Sequence, residues 1–198
     1  MTLAVKIPHV MTAGEFMDWP GDGHVGRQEL VNGEIRSMDP PAPTHGFLQA
    51  RLAYLLTRHI KSNKLPCLIA TEAGVQPRFQ AKINVRVPDV VVTCLPFLRG
   101  AKLITEPVLI IEILSPSNEK ATWDSIHAMS TIPALAEIAV FRSNAREAQV
   151  FQRGADGAWP IESPVIGWGG HLRFESLNYE VPLDEVYEDI ELTGDETE

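Results

Sequence analysis

The hydrophobic and polar positions along the chain change period several times, and each change predicts an element. Thr12-Ala-Gly-Glu15 has the form of a capping box, so a short helix is expected through about Trp19, where Pro20-Gly21 ends it. The Gly-rich polar stretch Asp22 to Arg27 reads as a loop. Gln28 to Met38 alternates on both sides of Asn32-Gly33, the dipeptide that suits the positive φ angles of a type I′ turn, and so predicts a β-hairpin. Pro40-Pro41-Ala42-Pro43 is a stiff connector. Thr44 is then expected to cap a helix in which Leu48, Leu52, Leu55, Leu56 and Ile60 form one apolar stripe. Arg51, Arg58 and Lys61 lie mostly off that stripe, as a solvated face would.

From Leu68 the pattern turns β-like. Leu68 to Pro77, Lys82 to Thr93 and Glu106 to Leu114 are rich in Val and Ile and predict three strands. A second helix is expected over Thr122 to Thr131, then strands over Ala136 to Arg142, Ala148 to Arg153 and His171 to Phe174, and a short helix over Leu183 to Tyr187. This order predicts an α/β (α+β) domain with helices on the faces of a central sheet, and the apolar run Val108 to Leu114 belongs at its centre.

Composition sharpens this picture in three ways. With 198 residues, 44% hydrophobic and 22% charged, the chain fits one ordinary domain, here expected over residues 1–193. The net charge of −9 is concentrated at one end: eight of the 26 acids follow Leu183, where no Lys or Arg occurs. The rest of the chain is nearly neutral, so that end is expected to be solvated, with a disordered acidic tail over 194–198. The two cysteines, Cys67 and Cys94, lie in apolar runs and are expected to be buried free thiols. No stretch is long and apolar enough to cross a bilayer and the start lacks the apolar core of a signal peptide, so a cytoplasmic protein is expected.

The candidate chemistry lies in two segments. Asp89 sits in Arg86-Val-Pro-Asp89-Val, and Glu112 sits in the most apolar run of the chain. A carboxylate in such a strand must be paired, hydrogen-bonded or metal-bound. One reading has Asp89 and Glu112 converging from neighbouring strands on a divalent cation such as Mg²⁺, which keeps several waters and needs few carboxylates. The other has Glu112 capping the Ser115-Pro116-Ser117 turn or pairing with Arg86.

Taken in order, Glu29-Leu-Val-Asn-Gly-Glu34, His45-Gly46 at a helix start, Arg86-Val-Pro-Asp89-Val and Ile111-Glu112-Ile-Leu-Ser-Pro-Ser117 resemble the Uma-type restriction endonuclease family, a branch of the PD-(D/E)xK nucleases. The resemblance runs from about Thr12 to Asp156. It implies a restriction-endonuclease-like core, Mg²⁺ or Mn²⁺ as cofactor, hydrolysis of DNA phosphodiesters and, by analogy, a homodimer. On it, Asp89 and Glu112 are the metal-binding acids, Glu29 or Glu34 is an additional N-terminal acid, and His45 matches a family histidine. Hairpin solvation for the two glutamates and a bond to the preceding turn for His45 are the competing readings. The sequence departs from the pattern at Leu114, where the (D/E)xK lysine is expected. Lys82, Lys120 and His127 are the candidates to replace it, with Lys82 preferred. A second function class follows from the departure: a degenerate nuclease fold that binds nucleic acid or protein without cutting.

Overall fold

The two β-branched runs that pack against each other, Val90–Thr93 and Pro107–Leu114, form the middle of a five-stranded sheet. A computed structural model describes residues 10–23, 26–96 and 98–192. Helix α1 (Ala13–Asp18) carries the expected capping box: the Thr12 hydroxyl accepts from the Glu15 N–H, and the Glu15 carboxylate accepts from the Thr12 N–H at 2.7 Å. Strands β1 (Gln28–Val31) and β2 (Glu34–Ser37) form the expected hairpin, with Asn32 at φ 53° and Gly33 at φ 84°. A side chain at Gly33 would also collide with Val10, whose Cγ1 lies 2.0 Å from where its Cβ would be.

Helix α2 (Pro43–Ser62) begins at Pro43, with Ala42 at the cap position. Thr44 is therefore inside the first turn and is not the cap. Proline at the first helical position has no N–H to satisfy and its fixed φ is already helical. The apolar stripe is buried as expected, and His45 is buried with it.

The sheet order is β3 (Leu68–Thr71), β4 (Val90–Thr93), β5 (Pro107–Leu114), β6 (Glu137–Arg142), β7 (Ala148–Gln152). Only β5 and β6 run parallel, joined by α3 (Glu119–Met129) as the crossover. The long strands expected over 68–77 and 82–93 are both shorter. Glu72 turns the chain out of β3 with φ 52°, and Ala81–Ile83 form a 3-10 turn. Pro88 has no N–H to donate, and the Val87 N–H goes to the Glu29 carboxylate, so the β4 ladder starts at Val90, and Val85 and Arg86 form only isolated bridges to Leu30 and Val75.

Alternation in β4, β5 and β6 divides the core between the two sheet faces. Val90, Val92, Leu109, Ile111, Ile113 and Phe141 pack with α2, and Val91, Ile110, Leu114, Ile138 and Val140 pack with Ile126 and Met129 of α3. The α2 layer is completed by β8 (His171–Phe174), β9 (Tyr179–Pro182) and α4 (Leu183–Val186). Strand β9 was not expected from the sequence, although its burial alternates as a strand's should.

Two expectations are corrected here. Cys67 and Cys94 are disulfide-bonded: the pairing of Leu68 with Thr93 places them opposite one another just beyond the paired ends of β3 and β4. The acidic stretch after Leu183 is anchored rather than free: Val186, Tyr187, Ile190 and Leu192 are buried and Glu188 and Glu185 pair with Arg51 and Arg58 of α2, while Glu188, Asp189 and Glu191 remain exposed as expected. The helix face taken for plain solvated surface thus receives these acids. The tail expected over 194–198 lies outside the described residues.

Candidate active site

The antiparallel register of β4 and β5, in which Val90 faces Ile111, sets Asp89 across from Glu112. Both are buried, Asp89 at 1% and Glu112 at 3% exposure. Asp89 is well provided with partners. Its Oδ1 accepts from Arg27 Nη1 at 2.7 Å, and its Oδ2 accepts from the Ile113 N–H at 2.7 Å and lies 3.2 Å from His45 Nε2. Gln49, one turn after His45, donates to the Asp89 carbonyl at 2.9 Å and ties α2 to this point of the sheet. Burial opposes ionisation of Asp89, but the His45 contact, the Arg27 charge and the Ile113 N–H together hold its carboxyl below the ordinary range.

Glu112 is the opposite case. Burial and then the Asp89 charge push its carboxyl well above the ordinary glutamate value, and Arg27 offsets this only in part. Neither local explanation for Glu112 holds. The 115–118 turn is capped by Asn118, whose Oδ1 accepts from the Ser115 N–H at 3.1 Å, and Arg86 faces Glu29 at 3.6 Å.

Glu29 completes the acidic group. It is 1% exposed, and its Oε1 accepts from the Val87 N–H at 2.8 Å and the Ser125 hydroxyl at 3.5 Å. Its Oε2 has no hydrogen-bond partner. Burial raises its pKa against the opposing pull of the Val87 N–H, Arg86 and Arg27. Arg27 serves the whole group: burial works against its charge, but Asp89, Glu112 and Glu29 raise its pKa above the ordinary value. Arg27, His45 and Asp89 line a cleft of about 570 Å³, whose walls also include Arg36 and Ser117.

The expected site residues therefore divide. Asp89, Glu112 and His45 come together, and of the two hairpin acids it is Glu29 that joins them. Glu34 shares a hairpin face with Glu29, since it pairs with Val31, but it lies on the outer arm beside the turn and is exposed. Lys82, in the 3-10 turn, is exposed and makes no contact with either acid; Lys120 and His127 are exposed too, with the His127 ring against Trp123. Leu114 is packed beneath α3. The cation at the acids is Arg27, which the sequence reading missed. A signal was available: Arg27 precedes Glu29 by two residues, so both fall on one face of the same extended segment. Gln49 could have been found as the i+4 neighbour of His45.

Residues 13–169 match the Uma2 family, described as "Putative restriction endonuclease". The chain belongs to this family. An "uncharacterized protein slr1290" of Synechocystis sp. is 25% identical over 177 residues, spanning 87% of this chain and 89% of that one. Among solved structures, a "putative nuclease belonging to DUF820" from Anabaena variabilis superposes with a TM-score of 0.70 at 16% identity, over 89% of this chain and 97% of its own. The mixed sheet with flanking helices and an N-terminal hairpin is thus a nuclease-like fold. Among the described residues no helix is long and apolar enough to cross a membrane.

The donor set can be weighed against a divalent cation. Among the described residues no three His, Cys, Asp or Glu side chains are grouped to hold a metal. The pair Asp89 and Glu112 nevertheless suits a hard cation that retains several waters. Asp89, Glu112 and Glu29 all favour the charged form of the Arg27 guanidinium bonded to Asp89, so a positive charge is favoured at this point.

Proposed function

We propose that the chain hydrolyses DNA phosphodiester bonds, with Asp89 and Glu112 holding Mg²⁺ or Mn²⁺. The observation that supports this most is the placement of two buried carboxylates opposite one another on neighbouring strands, where the close partner of Glu112 is the other acid, Asp89. The bound metal would supply charge neutralisation at the phosphate and an acidified water. The chain's own residues do the rest. Asp89 orients the imidazole of His45 through Nε2, leaving Nδ1, buried and without a partner, to take a proton from water. Arg27 stands in for the lysine absent at position 114, as a fixed positive charge beside the scissile phosphate. Its pKa lies above the ordinary value, so it carries charge and does not accept protons. Two copies acting together would cut both strands.

A second reading, a non-cutting binding module, is favoured by Leu114, because an apolar side chain fills the lysine position. Cleavage assays on supercoiled, linear and single-stranded DNA with Mg²⁺ or Mn²⁺ separate the two. Cutting by the wild type that is lost in Asp89→Asn and Glu112→Gln supports the nuclease. DNA binding without cutting, unaffected by metal, supports the module.

A further inference from the structure

We infer that Arg27 is a built-in counter-ion at the cation position of the acid pair, and that a nucleic-acid phosphate draws it away and opens the position to the divalent metal. The inference rests on Asp89 and Glu112 being metal ligands. Arg27 Nη1 bonds Asp89 Oδ1 at 2.7 Å, an oxygen a metal on this carboxylate would also use. A divalent ion sits about 2.0–2.6 Å from its carboxylate oxygens. Ion and guanidinium would then be neighbours of like charge in a buried site, so the two compete for Asp89.

The guanidinium is also poorly satisfied where it is. Its Nε and Nη2 meet the thioether sulfur of Met38, at 3.1 and 3.0 Å. Sulfur is a weak acceptor, whereas the planar fork of arginine matches two phosphate oxygens with strong charge-assisted bonds. Arg27 keeps 16% of its side chain accessible and lines the cleft, so a phosphodiester entering there reaches it without rearranging the core. Gly26 precedes it with φ 138°, a conformation other residues rarely adopt, so the side chain starts from a backbone without a Cβ beside it.

The consequence is reciprocal coupling. Phosphate and metal each favour the displaced arginine, so each tightens the other by one common factor, about 5–150-fold for couplings of ordinary size. The test is calorimetric titration of Mn²⁺ into the full chain, alone and saturated with a short phosphorothioate duplex, counting only binding that Glu112→Gln abolishes. The wild type is expected to bind Mn²⁺ weakly alone and about 5–150-fold more tightly with the duplex. Arg27→Met should bind Mn²⁺ tightly without DNA and gain little from it. Arg27→Lys, which keeps the charge but loses the fork, should match the wild type alone and lose most of the enhancement; it also serves if the Met variant does not fold. Wild-type binding that neither the duplex nor Arg27→Met tightens overturns the counter-ion role and leaves the metal site standing. If no form binds Mn²⁺, with or without DNA, the metal-site reading fails and this inference with it.

Discussion

Glu112 and Glu137 are buried to nearly the same degree, 3% and 2% exposed, on neighbouring parallel strands. They meet the cost of burial in opposite ways. Glu137 collects donors: Oε1 accepts from the Glu175 N–H at 2.7 Å and Gln152 Nε2 at 3.1 Å, and Oε2 from the Ser176 N–H at 2.9 Å and the Ser176 hydroxyl. It pins the 3-10 turn between β8 and β9 to the main sheet. Glu112 has no such set; its close neighbour is another acid, and burial together with that acid's charge raises its pKa well above the ordinary value. A buried acid surrounded by donors serves the fold. One facing a second acid at a cleft costs the fold something and is available for chemistry.

That contrast can be broken by mutation. The largest effect is expected for Glu137→Ala, which takes the shared acceptor away from Gln152, the Glu175 and Ser176 N–H groups and the Ser176 hydroxyl and unpins the turn from the sheet. A loss of about 3 kcal/mol, or a Tm lower by about 6–12 °C at this chain length, should appear in thermal melts. An unchanged Tm would show that these hydrogen bonds are replaced by water. Glu112→Gln should behave in the other direction, with a Tm equal to the wild type or up to about 2–4 °C higher, because it removes the repulsion with Asp89 at nearly constant shape. The stabilisation of the wild type by Mg²⁺ should vanish in this variant. A destabilised variant beside a wild type indifferent to Mg²⁺ would make Glu112 a structural acid like Glu137.

The pH dependence sharpens the same point. The Glu112 pKa is raised in the folded chain, so its contribution is fully present below the ordinary value of 4.5 and is lost as pH climbs through the raised value. Asp89, lowered from 3.8, contributes above that ordinary value and loses its contribution as pH falls through the depressed one. Metal-free wild type should therefore lose stability on the alkaline side of the glutamate range relative to Glu112→Gln, and chemical denaturation across pH measures the difference. The smallest effect belongs to Arg51→Ala. Its partners Glu188 and Asp189 are 59% and 89% exposed, so less than about 1 kcal/mol is expected. A larger loss would mean that the C-terminal acids anchor α2 as firmly as Glu137 anchors its turn.

Some of this was legible in the sequence because it depends on local geometry. Asn32-Gly33, the Thr12–Glu15 box and the leucine stripe of α2 each follow from neighbouring residues alone. The strand ends were not, because Val87 gives its N–H to Glu29, a residue distant in sequence that no period reveals. The disulfide depended on register, which sets Cys67 opposite Cys94 only once β3 and β4 are aligned. In the candidate site, the two acids were visible as charges in apolar strands. Arg27 carried only a weak signal, its two-residue spacing from Glu29, because it stands at the end of a glycine-rich loop before any strand pattern begins. The choice between Glu29 and Glu34 turned on which arm of the hairpin faces the sheet, and Leu30 bonding to Val85 decides it.

The family match ends at residue 169, but the protein's physical boundary does not. Leu172, Phe174, Val181, Leu183, Val186 and Tyr187 are buried in the same core as the leucines of α2, and the Tyr187 hydroxyl donates to the carbonyls of Arg142 and Glu147. A gene fragment trimmed to the matched residues would keep every candidate site residue and the α2 helix, but lose the rest of the layer that packs with α2 on that sheet face. In a cell, such a product would present a broad greasy surface to chaperones and proteases, and would be cleared as damaged goods before its chemistry could matter.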